Sequence, residues 1–209
     1  MQFIDPVPDN PWPRGMSIRV DDEPRLLLEA LWARDALGLN PPVDAPPPLL
    51  DAPPPAHPTA DVTELETAWA EVWSVVLDHA GASVDPVALH ERLLATPDGS
   101  PERATLMRAA LGSGWRDRFG DLGLGADFDA WSRRRFEART RRVYPPLDQT
   151  HEHLSLDALI AAWQAGLTTI ITIPCPGDYT RALSRTTLLM TEATRDDPAR
   201  YAAALATVA

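Results

Sequence analysis

Cys175 is the only cysteine among 209 residues, and Arg181 follows it across five intervening residues. A thiolate set among backbone amides can attack a phosphoryl or acyl centre while a nearby guanidinium holds the oxygens. The pair therefore defines one candidate chemistry, thiol-dependent phosphoryl or acyl transfer, with Asp178 as proton donor. Residues 167–173 read Leu-Thr-Thr-Ile-Ile-Thr-Ile, a β-branched run that predicts a strand delivering Cys175 to the loop at 174–185. Three features oppose the chemistry. Pro176 has no amide hydrogen to offer, Asp178 would repel a bound phosphate, and residues 183–190 read as turn and strand, not as a helix pointing its N-terminus at an anion. The competing reading is an inert thiol at a strand end, with Pro-Cys-Pro-Gly shaping a turn. On the same loop Tyr179, Asp178 and Arg181 form a candidate recognition tip.

Two other constellations could do chemistry. Arg133, Arg134, Arg135, Arg139, Arg141 and Arg142 stand against the single acid Glu137 in residues 133–142. Guanidinium forks suit anionic oxygens, so this segment is a candidate grip for phosphate, nucleic acid or an acidic protein. The alternative is a solvated helix whose arginines pair with acids elsewhere in the chain. His151 and His153 lie on one side of an extended stretch, and Asp148, Asp157 or Cys175 could complete a metal site with them. Structural zinc normally brings more cysteines, so surface histidines are the favoured reading and no metal or other cofactor is expected.

Thirty acidic against nineteen basic residues give a net charge of -11. That balance disfavours nucleic acid and anionic lipid and favours a basic protein partner. Every basic residue is arginine and none is lysine, a compositional bias that lowers the weight of arginine abundance by itself. A lone cysteine, the lack of a secretory pattern and the absence of a long apolar run predict a cytoplasmic chain with no membrane span.

The elements that must position these groups are mostly helical. Pro6, Pro8, Pro11 and Pro13 predict an extended arm, docked by Phe3, Ile4 and Trp12, followed by a short strand at residues 17–20. A helix begins at Asp22-Glu-Pro24, with Leu28, Leu31, Trp32 and Leu39 as its buried stripe. Nine prolines in residues 41–60 predict a stiff connector that separates this helix from the main body. Asp61 caps a helix with Leu65, Trp69, Val72, Trp73 and Val76 inward. Asp85-Pro86 and Ser100-Pro101 open two short helices with Leu89, Leu93, Leu106 and Ala110 inward, and Asp127 caps the helix that carries the arginines. Ser155 caps a further helix, residues 186–191 form a second strand, and Asp197-Pro198 starts the last helix.

The expectation is an α+β protein, predominantly helical, with a small sheet made mainly of C-terminal strands. It divides into an arm and helix at 1–40, a proline-rich connector at 41–60 and a body at 61–209. Missing motifs and the charge favour a noncatalytic interaction or accessory protein of the inhibitor or adaptor type. Thiol chemistry at Cys175 and Arg181, or anion and nucleic-acid binding through residues 133–142, stand as alternatives.

Overall fold

The structure is a computed structural model that describes residues 11–58, 60–82, 86–143 and 145–208, with the side chain of Pro86 left aside. Pro6, Pro8, Phe3, Ile4 and the Asp85 cap lie outside these residues. In chain order the described residues form β1 (Arg19–Asp21), α1 (Arg25–Ala36), α2 (Val62–Gly81), α3 (Pro86–Ala95), α4 (Pro101–Leu111), α5 (Trp115–Phe119) and α6 (Gly125–Thr140). After a 3-10 turn at Leu147–Gln149 come α7 (His151–Leu154), α8 (Leu156–Gln164), β2 (Thr169–Ile173), β3 (Thr180–Ala182), β4 (Thr187–Thr191), α9 (Glu192–Asp196) and α10 (Pro198–Leu205). The protein is α+β and predominantly helical, with one small mixed sheet.

The strands run in the order β1-β2-β4-β3. β1 and β2 pair in parallel, as do β2 and β4, and β3 lies antiparallel on β4. Three parallel carboxyl ends therefore leave the sheet along one edge. The alternation expected for residues 167–173 holds within β2, Thr169–Ile173, while Leu167 precedes the strand and packs with Ile170 on the other face. Ile171, Ile173 and Leu189 enter a core cluster with α1, α2 and α6, while Ile170, Leu188 and Met190 join Leu159, Tyr201 and Leu205 of α8 and α10. With helices over both faces, the central strands β2 and β4 are buried between them.

α1 departs from the expected stripe. Leu27, Leu28, Ala30, Leu31 and Ala33 are all buried, so the helix is enclosed on every side instead of along one face. Its alanines keep it thin enough to be surrounded. Two charged residues go inside with it. Glu29 accepts from Arg25 Nε at 3.0 Å and Arg116 Nε at 3.2 Å, and Arg34 donates to Pro46 O at 2.6 Å and Pro47 O at 3.0 Å. These bonds offset part of the cost of burying charge.

The proline-rich segment is laid against α1. Besides the Arg34 bonds, Leu49 N donates to Asp35 Oδ2 at 2.6 Å, Ala56 N to Ala36 O at 2.7 Å and Leu50 N to Pro174 O at 2.9 Å. Prolines supply carbonyl acceptors without competing amides, which is why a segment unable to form helix or central strand can still strap the core.

Caps follow the sequence in part. Asp61 accepts from Thr63 N and Glu64 N, Ser100 from Arg103 N, and Asp197 from Ala199 N and Arg200 N. The five apolar residues expected on α2 are all buried, and Trp69 Nε1 donates to Ala30 O at 2.6 Å, joining α2 to α1. Ser155 does not cap; its hydroxyl reaches Pro198 O at 3.3 Å and links α8 to α10. Asp127 lies inside the first turn of α6, which starts at Gly125. The α3–α4 hairpin is the least buried part, with Leu106 inside but Val87, Leu94, Met107 and Leu111 exposed.

Candidate functional site

The residues whose sequence spacing suggested catalysis differ in setting, with the thiol buried and the two charged groups at the surface. Cys175 lies two residues past the end of β2, after Pro174, and is 3% exposed, inside the apolar cluster beneath α1. Burial pushes its thiol up to about 12, outweighing the nearby Arg34 charge. Its amide is already donated to Ile173 O at 2.9 Å. Arg181 sits on β3, the exposed edge strand, with Asp44 at 3.9 Å. Asp178 is bound by Arg200 at 3.0 Å. The Tyr179 ring is half-buried against the core, and burial raises its phenol above the ordinary range. The loop is closed from behind, since Thr191 N donates to Tyr179 O at 3.1 Å and Thr191 Oγ1 to Gly177 O at 2.7 Å.

The two histidines part company. His151 Nε2 lies 3.2 Å from Asp196, and the His153 ring tilts against Trp12 with centroids 6.5 Å apart. Among the described residues no group of three His, Cys, Asp or Glu stands close enough to hold a metal.

The arginine segment is different, because it borders a cleft of about 510 Å³ at the carboxyl ends of the parallel strands. In open α/β sheets that edge is where ligands enter, since strands end there and their connections diverge. α6 forms one wall with Trp131, Arg134, Arg135, Ala138 and Arg139, and Arg142, two residues past its end, extends that wall. The five helical positions recur every three or four residues, so they share one face of α6. Opposite them stand Asp22 and Glu23, immediately after β1, Thr172 near the end of β2, and Glu192 with Arg195 and Asp196 after β4. Asp51 of the proline strap closes one side.

The acids and arginines of the cleft are largely committed to each other. Arg139 Nη1 binds Asp22 Oδ1 at 2.6 Å and Glu23 at 3.1 Å, and Arg135 Nη2 binds Glu192 at 2.7 Å. Arg135 also lies 3.9 Å from Glu23 and 5.2 Å over the Trp131 ring. Burial raises the Glu23 carboxyl above the ordinary value, and Arg135 and Arg139 oppose that shift. Arg195 grips Glu152 through Nε at 3.0 Å. The expectation of arginines paired with distant acids thus describes Arg135 and Arg139, while Arg141 pairs with Glu137 at 3.3 Å.

Among the described residues, Arg134 and Arg142 have no such partner and are exposed. Arg133 is also exposed and unpaired there, but it does not border the cleft. Three buried polar atoms from the cleft residues lack a hydrogen-bond partner: Thr172 Oγ1, Trp131 Nε1 and Arg135 Nε. Thr172 is 1% and Trp131 3% exposed, so solvent does little to satisfy them. Buried polar groups are rarely left in this condition without a functional or structural reason.

Sequence reasoning found the arginine face but missed its opposite wall. Asp22 and Glu23 read as helix-start acids and Thr172 as one tooth of a strand, and Glu192 falls between the expected second strand and the last helix. A usable signal was the position of acids directly after two strands, but it becomes a site only when those strands run parallel in one sheet, on either side of β2. No protein-family model matches this chain, and comparison with curated proteins and with solved structures finds no match either.

Proposed function

We propose that this chain is a noncatalytic binding protein whose working site is the cleft between α6 and the carboxyl ends of β1, β2 and β4, and that the site recognises an anionic ligand. The observation that carries the reading is the coincidence of unsatisfied donors with uncommitted charge. The Thr172 hydroxyl, the Trp131 indole N–H and the Arg135 Nε–H are buried without acceptors, and Arg134 and Arg142 border the same space without counter-ions among the described residues. All of these groups donate, and an anion offers the matching acceptors. The carboxylates of the cleft are held by arginine or histidine, apart from Asp51, so they serve as structural counter-charges more readily than as acid or base. The thiol alternative is weakened by the burial and high pKa of Cys175.

Thermal unfolding in inorganic phosphate or citrate, with ionic strength held constant by sodium chloride, tests the reading. The expected result is a saturable rise in Tm that is lost in R134A/R142A and kept in R133A, whose arginine lies outside the cleft. An unsaturable rise, or one of equal size in R134A/R142A, overturns it.

A second reading, docking of a protein partner, is favoured by the exposed Val87, Leu94, Met107 and Leu111 on the α3–α4 hairpin. The net charge of -11 suits a basic partner and cytoplasmic residence is consistent with it. In that case L94E/L111E abolishes association with the partner while R134A/R142A leaves it intact.

A further inference from the structure

The charge pattern along α6 narrows the ligand class beyond an anion in general. Arg134 lies on α6 and Arg142 lies two residues past its end, beyond a C-cap Arg141 that keeps right-handed helical dihedrals; eight residues at a rise of ~1.5 Å each place their backbones about 12 Å apart. Between them, Arg135 and Arg139 are neutralised by Asp22, Glu23 and Glu192. Along the cleft the available charge therefore reads positive, then a stretch rich in carboxylate oxygen, then positive. An anionic group placed at the centre meets three acids whose arginines are already engaged. One placed at either end meets a free guanidinium.

Ala138 lies midway between the free arginines and also borders the cleft. Its methyl side chain leaves the wall between them low, so a continuous ligand can span the interval without displacing a larger group. The buried Trp131 indole N–H stands one turn before Arg134, and the Thr172 hydroxyl supplies a second neutral donor from β2. A volume of about 510 Å³ falls within the range of small-molecule sites.

We infer that the cleft takes an elongated small organic dianion whose two anionic groups are separated by roughly a dozen ångströms, one held by Arg134 with the Trp131 indole N–H nearby and the other by Arg142. This assignment rests on the proposed anion-binding cleft and specifies its ligand. Asp51 borders the cleft on the Arg134 side, where Arg134 and Trp131 also border its lateral extension. That placement favours a hydrogen-bond donor, such as a hydroxyl, next to the first anionic group.

The test is isothermal titration of the full chain with α,ω-dicarboxylates of increasing length, from succinate through suberate to dodecanedioate, beside monocarboxylates of matched chain length. Binding is expected to strengthen with length to a maximum among the longer dianions and to exceed the matched monocarboxylate by roughly tenfold or more, as one added charge-assisted contact implies. R134A and R142A should each bring the best dianion down to the level of its monocarboxylate. Circular dichroism of both variants confirms that they fold, and both substitutions lie at exposed positions. Equal affinity for monoanions and dianions, or phosphate binding that depends on both arginines at once, overturns the dianion while leaving the anion site standing. No measurable binding of carboxylate, phosphate or citrate overturns both.

Discussion

Raising the pH should label Cys175 late and destabilise the fold early, and the two effects can be calculated from one burial. The thiol is 3% exposed and its pKa is pushed up to about 12 from a reference of 9.0. At pH 8 such a group is ionised to about one part in ten thousand, against roughly a quarter for an ordinary thiol of pKa ~8.5. Alkylation by iodoacetamide should therefore run at least about a thousandfold slower in the native protein than in urea. The sign of the linked stability change follows from the same shift. The unfolded chain loses its thiol proton first, so the contribution is full below about pH 9 and falls as pH approaches 12. The slope is about 1.4 kcal/mol per pH unit, or on the order of 4 kcal/mol across the window. Urea unfolding of wild type and C175A at pH 8 and near pH 10.5 isolates this group, because the raised Tyr179 and Tyr201 phenols are common to both proteins. At pH 8 the wild type should lead by about 1 kcal/mol, the usual scale for trimming a small buried side chain. Near pH 10.5 the gap should close or reverse. Native labelling at the urea rate, or a gap that does not change with pH, would refute the burial argument and restore Cys175 as a reactive residue.

Two further expectations concern what holds the core. Replacing Arg116 by Met should cost about 3 kcal/mol in chemical denaturation, because Glu29 is then left buried with a single counter-ion from solvent-facing Arg25; R25M should cost less than about 1 kcal/mol. Gly112→Ala should destabilise by about 2 kcal/mol, since φ is 75° and the new Cβ would stand 2.7 Å from the His79 ring; adding His79→Ala should return the packing share of that loss, as read by differential scanning calorimetry.

What could be read from residues alone followed local chemistry. The β-branched alternation in residues 169–173, the Asp61 cap and the apolar period of α2 each depend on neighbours in sequence, and each stands in the fold. The twelve residues after β2, 174–185, read from the sequence only as a loop. Its tip is the edge strand β3, specified by pairing with β4 across a short reversal. α1 was misjudged for a related reason. Periodicity distinguishes one buried face from one exposed face, but a helix enclosed by two helices and a sheet has no exposed face to contrast. The parallel pairing of β1 with β2 joins Asp21 to Ile171 across nearly the whole chain. No local pattern encodes a register of that span, and the acidic wall of the cleft depends on it.

That long-range pairing also separates what folding needs from what binding needs. Asp22, Glu23 and Glu192 are brought together because the strands that precede them end along one edge, and so many carboxylates in a half-buried space require counter-charge. Arg135 and Arg139 supply it, with side chains 18% and 26% exposed and contacts of 2.6 to 3.9 Å. A helix carrying only those two arginines on this face would satisfy the fold. Arg134 and Arg142 neutralise no acid among the described residues, so their removal should change stability by no more than about 0.5 kcal/mol. Removing Arg135 leaves Glu192 without its 2.7 Å partner and Glu23 with Arg139 alone. The cleft wall formed by α6 and the two residues after it thus holds a structural pair and a surplus pair, and the surplus pair is where charge remains free for a ligand.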